Sequence, residues 1–131
     1  YKIFFSMRNF YAQLLNELSL QPHDLPDLDD HILSVYVRMM EKLEFEARGL
    51  PKNQFLEVDF ETLQKNPLKT IELVYDLLNL GPFGADKKYY QAYLAGIKDY
   101  KKNVYDFPEG DLQKVETHWR KYIKKGGYKR P

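Results

Sequence analysis

The chain has 131 residues, enough for one domain with a buried core, and a formal net charge of +1. That near balance excludes the strong basic field of a nonspecific nucleic-acid binder, so no nucleic-acid partner is expected. There is no cysteine, which excludes disulfides, thiolate metal sites and a cysteine nucleophile.

The opening Tyr1-Lys2-Ile3-Phe4-Phe5 is too short for a secretory apolar region and is soon followed by Arg8. Together with the absence of cysteine, this favours a cytoplasmic setting. No apolar run approaches the roughly 18–20 residues that cross a bilayer, so no transmembrane segment is expected. Residues 2–6 are apolar enough for a buried strand. A chain that opens in a strand with no initiating Met reads as a portion of something longer.

Phe10, Tyr11, Leu14, Leu15 and Leu18 then recur at helical spacing. Two prolines make residues 21–27 a loop. Asp29 or Asp30 is placed to cap a second helix, whose stripe is Ile32, Tyr36, Met39, Met40, Leu43 and Ala47. Gly49 and Pro51 stop it.

Residues 54–60 read as a second strand, with Phe55, Leu56, Val58 and Phe60 as its apolar members. Asn66 is a good N-cap, and Pro67 suits a first helical position because the missing N–H has no partner to lose there. Leu68, Ile71, Val74, Tyr75 and Leu78 carry the stripe onward to the break at 81–84. A further helix is predicted from Tyr89, Tyr90, Tyr93, Leu94, Ile97 and Tyr100. The last follows Pro108, with Leu112, Val115, Trp119, Tyr122 and Ile123 on one face and Gly126-Gly127 closing it.

Strands alternating with helices predict a single α/β domain over residues 1–131. Two strands alone make a poor sheet, so the sheet is expected to be incomplete at the N-terminal side.

The order of features from Phe55 to Leu68 (an extended segment, Phe60-Glu61-Thr62-Leu63, then Asn66-Pro67 launching a helix) resembles the later half of sulfotransferases that use 3′-phosphoadenosine 5′-phosphosulfate (PAPS). Ile3-Phe4-Phe5-Ser6-Met7-Arg8-Asn9 is similar to that family's strand ending in R-D/N-P. Tyr100-Lys101-Lys102-Asn103, with Trp119 and Gly127-Tyr128, resembles the "Y-K-x-N…W…G-Y" ending of its bacterial members. The ordered set covers most of the chain, from about residue 2 to 128, although each motif alone is short.

The resemblance implies a parallel sheet of the P-loop-like sulfotransferase type, with PAPS, or the desulfonated nucleotide PAP, as cofactor. It implies that Arg8 binds the 3′-phosphate, a role that suits a guanidinium's planar donors. Asn16 stands where the family has a second phosphate-binding Ser, and Phe60 where many relatives have a Tyr near the adenine. Lys101 or Lys102 would contact substrate or a nucleotide phosphate. Phe10 replaces the family's Pro, and nothing in the chain matches a Gly-rich phosphate loop. The family's loop and its catalytic base would both precede Tyr1, so the chain alone lacks the reacting centre. The function implied is one side of a sulfotransferase moving a sulfuryl group to a hydroxyl or amine of a small-molecule, lipid or carbohydrate acceptor. The alternative is a noncatalytic domain of this fold that has lost its nucleotide.

Each of these residues has a plainer reading. Arg8 is either a ligand or an ion-paired Arg, and Asn16 either a ligand or a solvent-facing helix residue. Glu57, Asp59 and Glu61 share one face of the expected strand, as a solvated edge or a carboxylate pair for acid–base work. His23, His31 and His118 lack metal-ligand spacing, and Asp24, Asp27, Asp29 and Asp30 lack the Gly and twelfth-position Glu of a calcium loop. The Tyr89, Tyr93 and Tyr100 stripe is core packing or a stacking surface. Lys121, Lys124, Lys125, Lys129 and Arg130 are a solvated helix end or an attractor of anionic partners.

Overall fold

The computed structural model describes residues 1–21 and 27–131. Most of the loop expected at 21–27, with His23 and Asp24, lies outside the described residues. The elements are α1 (Lys2–Leu18), α2 (Leu28–Ala47), α3 (Phe60–Lys65), α4 (Pro67–Leu78), a single 3-10 turn (Phe83–Ala85), α5 (Lys87–Gly96) and α6 (Glu109–Lys125). No strand occurs among the described residues, so the expected α/β fold with a parallel sheet is corrected to an all-helical one. Two compact units divide the chain: Tyr1–Glu44 with Val104–Pro131, and Phe45–Asn103.

The first correction concerns residues 2–6, which form the first turns of α1 rather than a strand. A short apolar run has no periodicity that separates strand from buried helix, and tertiary packing decides. Here Phe4 and Phe5 are buried in the core of the first unit beside Ile32 and Leu33 of α2 and Leu112, Val115, Trp119 and Tyr122 of α6. Phe4, Leu33 and Val115 are fully buried, each contributing about 1.5–3 kcal/mol of hydrophobic stabilisation.

Trp119 organises this core. Its ring meets Phe4 edge-on at 6.1 Å and lies 4.0 Å from the Tyr36 ring. Its indole N–H donates to the Leu33 carbonyl at 3.0 Å, so the one buried polar atom of the ring has a partner. One turn along each helix, Tyr122 Oη donates to the Val37 carbonyl at 3.4 Å. The end of α6 is closed as the sequence predicts: Tyr128 N–H bonds the Ile123 carbonyl and Gly127 N–H that of Lys124, with Gly127 at φ +64°. This is a Schellman turn, in which glycine avoids the Cβ clash of the left-handed conformation.

The second correction concerns residues 54–60. Their backbone pairs with no strand, and Asp59 is instead the N-cap of α3, its Oδ1 accepting the Thr62 N–H at 2.8 Å. Pro67 opens α4 as expected, but Asn66 caps through its backbone rather than its side chain. Its carbonyl accepts the Thr70 N–H at 2.9 Å and the Thr70 hydroxyl at 2.9 Å. Thr70 is accordingly a buried polar residue with its hydroxyl satisfied.

The core of the second unit is an aromatic trio. Phe83, buried on the 3-10 turn, lies 5.2 Å from the Tyr75 ring and 5.7 Å from that of Tyr90. Tyr75 Oη bonds Asp86 Oδ2 at 3.1 Å and is 3.2 Å from the Tyr90 hydroxyl. The Tyr90 bond first, then desolvation and Asp86, raise the Tyr75 pKa well above a phenol's ordinary value.

Candidate functional site

Arg8 sits on α1, and its surroundings are carboxylates. Nε donates to Asp29 Oδ1 at 2.7 Å and Nη2 to Asp29 Oδ2 at 2.6 Å. Nη1 reaches Asp111 Oδ2 at 2.7 Å, and Nη2 also reaches Asp111 Oδ1 at 3.0 Å. The guanidinium lies 4.5 Å above the Phe4 ring. Both carboxylates belong to first helical turns, Asp29 of α2 and Asp111 of α6, where the helix dipole already favours negative charge. Lys114 adds a third cationic contact, to Asp29 Oδ2 at 3.2 Å.

This arrangement ties three helices through one planar cation. The Asp111 hydrogen bond is the largest influence on Arg8 and outweighs burial, so the guanidinium is held even more firmly in its charged form. Arg8 in turn holds the Asp111 carboxyl below the usual Asp value. Four of the five N–H donors of a guanidinium are spent on carboxylates. A phosphate approaching Arg8 meets two negative groups already in place, which is the geometry of the ion-paired reading.

Asn16 is exposed on the same helix. Eight residues of α-helix put it about 12 Å along the axis and about 80° around it from Arg8. The two side chains therefore do not converge on one phosphate-sized group.

The other expected residues lie in the second unit. Phe60 opens α3 and is 62% exposed. Lys102 Nζ stands 6.0 Å from the centre of its ring, at the outer limit of a cation–aromatic contact. Lys101 is also exposed. An open ring beside an ammonium group has the chemistry to stack on a purine and to meet a phosphate. Asp59 is occupied as a helix cap, and its bond to Thr62 lowers its pKa.

Arg8 and Asn16 belong to α1 of one unit, and Phe60, Lys101 and Lys102 to the other. Sequence reasoning missed Asp111 as a partner of Arg8, and took Asp29 only for a helix cap. Their places in first helical turns were visible, but their convergence on a residue of α1 was not. No group of three or more His, Cys, Asp or Glu side chains poised for a metal occurs among the described residues.

Over 130 residues, 99% of this chain, the sequence is 29% identical to the omega-hydroxy-beta-dihydromenaquinone-9 sulfotransferase Stf3 of Mycobacterium bovis. The protein of the same name from Mycobacterium tuberculosis aligns at 29% identity over the same 99% of the chain. The chain spans about a third of the length of each, 34%. No solved structure matches. A model of the Sulfotransferase family matches residues 1–83, a stretch that contains Arg8, Asn16 and Phe60 together with the Asn66-Pro67 helix start, and the chain therefore belongs to the sulfotransferase family.

Proposed function

We propose that this chain forms part of an enzyme that transfers a sulfuryl group from PAPS to the hydroxyl of a lipid or other small molecule. The observation that carries the reading is the family match over residues 1–83, extended by two mycobacterial relatives over almost the whole chain. Both relatives are named for a hydroxylated menaquinone derivative. A long isoprenoid bearing a terminal hydroxyl is the acceptor class we assign.

For the nucleotide, the residues of this chain fit unequally. Phe60 and Lys102, with Lys101 next to it, have the ring and charges to hold an adenine and a phosphate. Arg8 we assign as a positioning residue that fixes α1 against the starts of α2 and α6. PAPS, when bound, supplies the sulfuryl group and leaves as PAP.

Titration of the chain with PAP, beside Phe60→Ala and the double variant Lys101→Ala/Lys102→Ala, tests the assignment. Saturable heat in the wild type that is lost in both variants is expected. Transfer of labelled sulfate from PAPS to a hydroxylated menaquinone, assayed in the full-length protein, tests the reaction. A second reading, a noncatalytic domain that has lost its nucleotide, is favoured by the commitment of Arg8 to Asp29 and Asp111. A folded wild-type chain that yields no heat with PAP supports that reading.

A further inference from the structure

Helix α5 turns two of its three tyrosines outward. Its packed side is Tyr90 and Leu94, both half-buried. Tyr89 and Tyr93 each precede one of these by a single residue, about 100° around the helix, and are 65% and 66% exposed. Tyr100, in the segment that follows, is 73% exposed. The sequence pattern leaves this stripe as core packing or a stacking surface, and in the second unit the three rings are exposed.

The charges around these rings are mostly positive. Residues 87–102 contain five lysines, of which Lys87, Lys88 and Lys98 are exposed within the helix and the turn after it, and a single acidic residue, Asp99. Lys88 Nζ lies 5.0 Å from the Tyr89 ring centre, so ammonium and ring are presented together. Tyrosine suits the boundary between headgroups and acyl chains, since the ring enters the apolar side while the hydroxyl stays wet. Lysine stems lie along the apolar boundary and lift their charge to lipid phosphates.

We infer that the α5 face, Tyr89, Tyr93 and Tyr100 with Lys88 and Lys98, docks on an anionic phospholipid surface. Charge complementarity selects this occupant over a second copy of the chain, because a symmetric self-contact would set the lysines of one copy against the same lysines of the other. The face lies on the bilayer without crossing it: among the described residues no helix is long and apolar enough to span a membrane. The inference stands on the surface of the second unit alone and is independent of which group the enzyme transfers.

Co-sedimentation of the chain with vesicles of phosphatidylcholine alone, or with about a third phosphatidylglycerol, tests it. Partitioning onto the anionic vesicles is expected to exceed that onto neutral ones by at least about tenfold, and to fall steeply at high salt. Lys88→Gln/Lys98→Gln is expected to weaken it about twenty-five-fold, as two surface lysines at about a factor of five each imply. Tyr89→Ser/Tyr93→Ser is expected to weaken it about tenfold while the helical circular dichroism stays that of the wild type. No binding, equal binding to both vesicle types, or binding that neither variant changes overturns the inference. So does self-association of the chain that Tyr89→Ser/Tyr93→Ser abolishes, which would assign the face to a second copy.

Discussion

Arg8 and Asp111 lie 103 positions apart in the sequence and are joined by two hydrogen bonds of 2.7 and 3.0 Å. With Asp29 on the other side, the pair fixes the start of α6 to α1 and α2. Arg8→Ala leaves the Asp29 and Asp111 carboxylates facing each other without their shared cation. The expected loss of stability is about 2 kcal/mol, between the value of an exposed ion pair and that of a buried one. Arg8→Lys is expected to recover less than half, because an ammonium cannot bond both carboxylates side by side. Urea denaturation followed by circular dichroism measures both.

The same pair sets an acid limit. The folded state holds the Asp111 carboxyl below its ordinary value, chiefly through the Arg8 hydrogen bond. The unfolded chain therefore takes up its proton first as pH falls, and this contribution to stability is full at neutral pH. It is lost as pH drops below the usual Asp range toward the folded value. Thermal melts between pH 3 and pH 7 are expected to show a drop in Tm at the acid end that is smaller in Asp111→Asn.

Trp119 is the sole tryptophan, so its fluorescence reports the first unit alone. At 3% exposure its emission is expected to be blue-shifted, moving to longer wavelength on unfolding. Trp119→Phe keeps most of the ring and removes the N–H bonded to Leu33, a loss of about 1 kcal/mol. Trp119→Ala also opens a cavity beside Phe4 and Tyr36 and is expected to cost about 3–5 kcal/mol. Denaturant midpoints read by circular dichroism compare the two.

The amphipathic helices were legible because their contacts repeat along the chain at the helical period. The stripe Leu112, Val115, Trp119 and Tyr122 names the residues that α6 buries, and Pro67 marks the start of α4. Ile3-Phe4-Phe5 was misread because nothing local separates a short apolar strand from a helix turn. What decides is Trp119, more than a hundred residues away in sequence. At 54–60 an alternating apolar pattern outweighed a capping signal that was present, Asp59 ahead of Phe60-Glu61-Thr62. Among the site residues, the chemistry of Arg8 could be read from its type, but the carboxylates that occupy it arrive from two other helices.

Asn79 ends α4 in the left-handed conformation, at φ 54°, with the Leu80 N–H bonded to the Tyr75 carbonyl. Glycine takes up that conformation without a Cβ penalty. Asn79→Gly is expected to raise the stability of the second unit by about 0.5 kcal/mol, and Asn79→Val to lower it by about 1 kcal/mol or more. Hydrogen exchange at the α4 amides reads the change within that unit.

The central claim is that this sulfotransferase-family chain carries the nucleotide side of the enzyme on Phe60, Lys101 and Lys102, while Arg8 serves the fold. Calorimetric titration with PAP of the wild type, Lys101→Ala/Lys102→Ala and Arg8→Lys tests it most directly. The account predicts saturable binding that the double lysine variant loses and a folded Arg8→Lys chain retains. Binding lost in Arg8→Lys but kept without the lysines would contradict it and return the phosphate to α1.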